Sequence, residues 1–163
     1  MAAPLLEIND LRLEVRTVDG WAHLLQEVNL QLARGEVLGL VGETGCGKSV
    51  TALTIMRLFP MPPGRVSGGQ VHFNGVDLLK LSEPEMRQIR GRRIAMVFQD
   101  PMTFLNPVFT IGDQLVTALL AHSAPPGSAR ERRRWAQARA VELLREVNIP
   151  APRERLCQYP HQF

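Results

Sequence analysis

The chain has 163 residues, 19 Lys and Arg against 16 Asp and Glu, a formal charge of +3 and 45% hydrophobic residues. That is about one domain's worth of chain with enough apolar content for a core, so a disordered or low-complexity polypeptide is excluded. Two cysteines far apart, Cys46 and Cys157, exclude a disulfide framework or zinc spacing and suit a reducing compartment. The first ten residues lack the basic stretch and apolar core of a signal peptide, and no run approaches the roughly 20 apolar residues that span a bilayer.

Residues 5–16 alternate loosely and are predicted as an edge strand; 24–32 alternate again, with Val28, Leu30 and Leu32 on one face. After a turn at 33–35, the apolar run 36–41 has the pattern of a strand buried on both faces. A glycine-rich loop follows, then a helical pattern from Lys48 to about Phe59, stopped by Pro60, Pro62, Pro63 and Gly64. Asn74-Gly75 predicts a hairpin within 70–79. Ser82-Glu83-Pro84-Glu85 opens a short helix closed by Gly91, and 94–98 has the pattern of a second buried strand. After a loop over 99–110, helices are predicted at about 111–122 and 128–148. On the second, Trp135, Ala138, Val141, Leu144 and Val147 form a stripe expected to be core. The organisation expected is an α/β layer over 1–99 and a helical arm over 100–163. The basic run Arg130, Arg132, Arg133 and Arg134 is expected to be a solvated helix face; without interleaved aromatics or a reader motif it does not indicate nucleic acid.

The chemistry is concentrated in Gly42-Glu43-Thr44-Gly45-Cys46-Gly47-Lys48-Ser49, a full match to G-x-x-x-x-G-K-[ST]. Glycines let the backbone curl with N–H groups pointing inward, and the following helix adds the positive end of its dipole. Lys48 is placed to meet the β and γ phosphates of a nucleotide, and the Ser49 hydroxyl to meet Mg²⁺. Cys46, inside this loop and beside a lysine, is expected to have a lowered thiol pKa. Gln99, at the end of the 94–98 strand pattern, could reach Mg²⁺ or an attacking water, or make a loop hydrogen bond.

Further stretches carry a resemblance. Gly42–Ser49 continues into Val50-Thr51-Ala52-Leu53. Gly91-Arg92-Arg93-Ile94-Ala95-Met96-Val97-Phe98-Gln99-Asp100-Pro101 is followed by Met102-Thr103 and Leu105-Asn106-Pro107-Val108-Phe109-Thr110, and Tyr159-Pro160-His161-Gln162 stands near the end. From about residue 5 to 163 the chain resembles the ATP-binding subunits of ABC importers, the dipeptide, oligopeptide and nickel group. The resemblance implies an α/β P-loop ATPase core with an antiparallel β subdomain and the start of a helical subdomain, truncated before the signature motif. It makes Gly42, Glu43, Thr44, Gly45, Cys46, Gly47, Lys48, Ser49 and Gln99 the ATP-binding residues, with Ser49 and Gln99 on Mg²⁺. It implies a head-to-tail pairing with a second ABC ATPase subunit and contact with membrane-spanning permease subunits through about 100–123. The place implied is peripheral, on the cytoplasmic face of the inner membrane. No segment supplies the signature, the catalytic carboxylate or the switch histidine, so hydrolysis by this chain alone is expected to be slow or absent. An inactive nucleotide-binding or regulatory module stands as the alternative. The aromatic that stacks on adenine in this family has no clear counterpart: Val15 occupies the expected region and Trp21 lies nearby. Phe104 replaces a small polar residue. A guanine-selecting Asn-Lys-x-Asp stretch is absent from the sequence.

Overall fold

The computed structural model describes residues 3–163, at 101 and 102 for the backbone only. The chain forms two compact units, Met1–Arg90 and Gly91–Phe163.

The first unit is built on an antiparallel sheet of order β2-β1-β3-β4, with β1 Leu6–Thr17, β2 Gly20–Leu32, β3 Gly64–Phe73 and β4 Val76–Asp77. The strand predicted as an edge, β1, is central: it pairs with β2 on one side and β3 on the other. Its loose alternation has a cause. The pairing register with β2 shifts after Ile8, Leu11 and Leu13, and each shift turns the next side chain relative to a strict two-residue period. Ile8, Leu11 and Leu13 all reach the core despite the irregularity, at 1% exposure or less. β2 keeps the predicted pattern, with Val28, Leu30 and Leu32 half-buried between exposed neighbours. The Asn74-Gly75 turn joins β3 to β4 with both residues at positive φ, 48° and 78°, the twist a tight hairpin needs.

Two helices complete this unit. α1, Lys48–Ile55, follows the glycine-rich loop, and α2, Glu83–Ile89, opens on a capping box. The Ser82 N–H and hydroxyl both donate to Glu85. The hydroxyl bond, then the backbone bond, hold the Glu85 carboxyl below its ordinary range.

The second unit packs α3, Ile111–His122, against α4, Ala129–Glu146, with the short α5, Pro152–Arg155, beside α4. Thr110 and Ser128 cap α3 and α4 as their residue types favour. The predicted core stripe on α4 is corrected. Ala136, Ala140 and Leu144 are the buried set, while Ala138 is exposed and Val147 is 65% exposed. Residues three apart fall back by about 60° per step on a helix of 3.6 residues per turn. A run of five such residues therefore winds around the helix instead of marking one face.

The two strands expected to be buried, 36–41 and 94–98, do not form: neither run has regular secondary structure, apart from an isolated bridge at Ile94. Val37, Val41 and Val97 are 96%, 90% and 88% exposed. A parallel strand buries both faces only between neighbouring strands and under covering helices, and no described segment forms a ladder with either run.

The α4 packing is checked by chemical denaturation. Leu144→Ala should cost about 2–5 kcal/mol as a buried large-to-small change. Val147→Ser should stay within about 0.5 kcal/mol of the parent.

Candidate functional site

The glycine-rich loop sits between the exposed run 36–41 and α1. Gly45 and Gly47 take φ of 88° and 91°, the left-handed region that other residues enter at a cost. Gly47 is doubly constrained. It is buried, and a Cβ there would stand 2.9 Å from Leu25 Cδ2 on β2. The loop thus meets the sheet through backbone lying on a leucine that is itself 3% exposed.

Gly47 is also the N-cap of α1, so it offers no side-chain cap, and the first turn carries no acidic residue. The amide groups that begin a helix have no intrahelical acceptor. With no carboxylate placed to meet them, they and the helix dipole favour an external anion. Lys48 folds back over the loop: its Nζ donates to the carbonyls of Gly42 at 2.6 Å and Glu43 at 2.7 Å, and to Cys46 Sγ at 3.2 Å. That bond, with the lysine charge, holds the exposed Cys46 thiol below its ordinary pKa. The Ser49 side chain, next along α1, is exposed.

Gly42, Glu43, Thr44, Gly45, Cys46, Gly47, Lys48 and Ser49 therefore form one continuous loop and helix start in the first unit. Gln99 belongs to the second unit, in an exposed bend after the 94–98 run. Beside it the Phe98 and Phe104 rings stack at 3.9 Å. Of the residues considered for base stacking, Trp21 has its ring covered by the Arg65 guanidinium at 3.7 Å, and Arg65 donates to Glu14 at 2.8 Å. Val15 pairs with Ala22 on β2 and Gly64 on β3.

Sequence reasoning missed Leu25 and Arg90. Leu25 looks like any strand leucine until Gly47 is set against it. Arg90 donates from Nε to the Met56 carbonyl at 2.7 Å and from Nη2 to the Arg57 carbonyl at 3.0 Å. Those acceptors are 34 and 33 residues away in sequence, so no local pattern marks them.

The loop has the sequence form of a P-loop, and comparison with known proteins defines the class. Residues 25–163 match the ABC transporter family model. The chain is 46% identical over 159 residues to the oligopeptide transport ATP-binding protein OppD of Bacillus subtilis, covering 98% of this chain and 43% of that protein. It is 44% identical over 158 residues to the dipeptide transport ATP-binding protein DppD of the same organism, covering 97% and 45%. A solved dimeric structure of the bacterial ABC transporter cassette MJ0796 superposes with a TM-score of 0.75 at 23% identity, covering 97% of this chain and 62% of that one. The chain belongs to the ABC transporter ATP-binding family. Its α/β fold, an antiparallel sheet followed by a helical part, is that of the first part of an ABC ATPase cassette. It spans about half the length of the curated relatives it matches.

Two measurements test this geometry. Gly47→Ala should lose more than about 1 kcal/mol of stability, because alanine resists this φ and its methyl meets Leu25. Adding Leu25→Ala should relieve the clash but leave the backbone penalty. In a Cys157→Ser background, the pH profile of iodoacetamide alkylation should place the Cys46 midpoint below the ordinary 9.0. A depressed pKa means more thiolate at any pH beneath that value, so Lys48→Met should move the midpoint upward and slow alkylation near neutrality.

Proposed function

We propose that this chain is the nucleotide-binding portion of an ABC importer ATPase subunit of the peptide branch. The whole protein would couple ATP binding and hydrolysis to solute uptake. The observation that carries the reading is the uncapped start of α1: a buried glycine at the N-cap, no acid in the first turn, and Lys48 folded over the loop. Backbone amides, an ammonium and a hydroxyl are the donor set that fits a triphosphate with its cation.

In this reading the amides from Gly45 to Ser49 cradle the phosphates, and Lys48 exchanges its loop carbonyls for β and γ oxygens. The Ser49 hydroxyl and the Gln99 carboxamide hold Mg²⁺, which when bound neutralises phosphate charge and fixes its orientation. Gln99 rests on the resemblance of 91–110 to the importer group. The names of the relatives, which describe ATP-binding proteins of oligopeptide and dipeptide transport, support the peptide branch. MJ0796, solved as a dimer and with ADP and Pi bound, supports nucleotide binding and pairing with a second ATPase subunit.

The partner proposed on the other side is a permease, met through about 100–123. Phe104, Val108 and Phe109 are 61%, 71% and 52% exposed there, an apolar surface that favours a protein partner. Among the described residues no helix is long and apolar enough to cross a membrane. Attachment at the cytoplasmic face through such a partner is therefore the mode proposed.

Titration with a fluorescent ATP analogue tests the reading. The parent chain should bind with Mg²⁺, and Lys48→Ala should weaken binding by at least about tenfold, as loss of a charge-assisted phosphate contact requires. Ser49→Ala and Gln99→Ala should lose the Mg²⁺-dependent part of the affinity and keep the Mg²⁺-independent part. Equal affinities for the parent and Lys48→Ala would overturn the assignment.

A further inference from the structure

The far end of α1 is held as deliberately as its start. The helix closes at Met56, and Arg57 leaves it at φ 51°, the left-handed turn that usually falls to glycine. The Met56 and Arg57 carbonyls lie where helix C-termini carry unsatisfied acceptors and partial negative charge. Both are taken by one side chain. Arg90 gives its Nε–H to Met56 at 2.7 Å and an Nη2–H to Arg57 at 3.0 Å, while Nη1 donates to Glu83 at 2.6 Å. Its side chain is only 19% exposed. Arg57 continues the network, donating from Nη1 to the Leu78 carbonyl at 3.3 Å and the Leu81 carbonyl at 2.5 Å. α1 is thus tied at its end to the connection before α2, and through Glu83 and Arg90 to both ends of α2.

We infer that Arg90 is a positioning residue of the phosphate site: its fork on the two carbonyls just past α1, of the C-cap Met56 and of Arg57, sets the angle at which the other end of that helix meets a nucleotide's phosphates. The inference rests on the proposed nucleotide role of the loop. Eight residues make α1 about 12 Å long, so a tilt of about 5° at one end moves the N-terminal amides by about 1 Å. That is as large as the whole tolerance of a hydrogen bond to phosphate oxygen. At the loop end a Cβ on Gly47 would stand 2.9 Å from Leu25 Cδ2, a close apolar approach that carries no hydrogen-bond direction. Beside the packing of the buried Thr51, Thr54 and Met56, the guanidinium adds a directional restraint at the far end. Lysine would keep the charge but lose the planar fork that reaches two carbonyls and Glu83 together.

The experiment is the same Mg²⁺–nucleotide titration on the full chain, with circular dichroism on each sample. Arg90→Ala should bind the fluorescent ATP analogue about tenfold more weakly, the scale of a lost charged hydrogen-bond network. Arg90→Lys should fall between Arg90→Ala and the parent. Millimolar methylguanidinium should return Arg90→Ala toward the parent and leave Lys48→Ala unchanged. A folded Arg90→Ala within about twofold of the parent overturns the inference, as does a loss that methylguanidinium does not restore. If Arg90→Ala does not fold, Arg90→Gln, which keeps a donor and much of the length, is read in its place. Unfolding of all three variants would make Arg90 a purely structural residue and also overturn it. Failure of the parent to bind, or normal binding by Lys48→Ala, sinks the phosphate-site reading and this inference together. Defective Lys48→Ala beside normal Arg90→Ala sinks the inference alone.

Discussion

The contact of Gly47 with Leu25 is the constraint on which the first unit depends. It is where a glycine of the loop meets a leucine of the sheet. Gly47 has to be glycine twice over, for its 91° φ and for the 2.9 Å that a methyl would leave to Leu25. Because the N-cap is a glycine and the first turn carries no acid, α1 begins with amides unmet by a side-chain cap. Leu25 in turn stays buried because β1 is central: Leu13 pairs opposite it, and β3 covers the other edge of β1.

The two ends of α1 are handled by opposite chemistry. The start is left open, with backbone donors and one lysine. The end is closed by two arginines, which meet carbonyls from Met56, Arg57, Leu78 and Leu81. This suits a short helix whose own hydrogen bonds cannot hold it at a fixed angle. Eight residues give few intrahelical bonds, so orientation is imposed by neighbours instead of by length. The Glu83 carboxyl, held below its ordinary range chiefly by the Arg90 hydrogen bond, stays ionised as the acceptor that completes the network.

The segments 36–41 and 94–98 have the composition of interior strands, and their valines stand in the open. The same physics that made them legible as strands makes them demanding: a ladder satisfies both backbone edges only when neighbours are present.

The sequence by itself determined the glycine-rich loop motif, the capped helix α2, the helices α3 and α4, the Asn74-Gly75 hairpin and the family. Each rests on residues within a few positions of one another, where glycine conformations, caps and turns are local chemistry. Only the tertiary structure decided that β1 lies inside its sheet, that α4 buries Ala136, Ala140 and Leu144, and that Trp21 is engaged by Arg65. It alone decided that Arg90 serves carbonyls more than thirty residues upstream. Those outcomes depend on which elements become neighbours, and a chain's local pattern states what a segment prefers but not what it will meet.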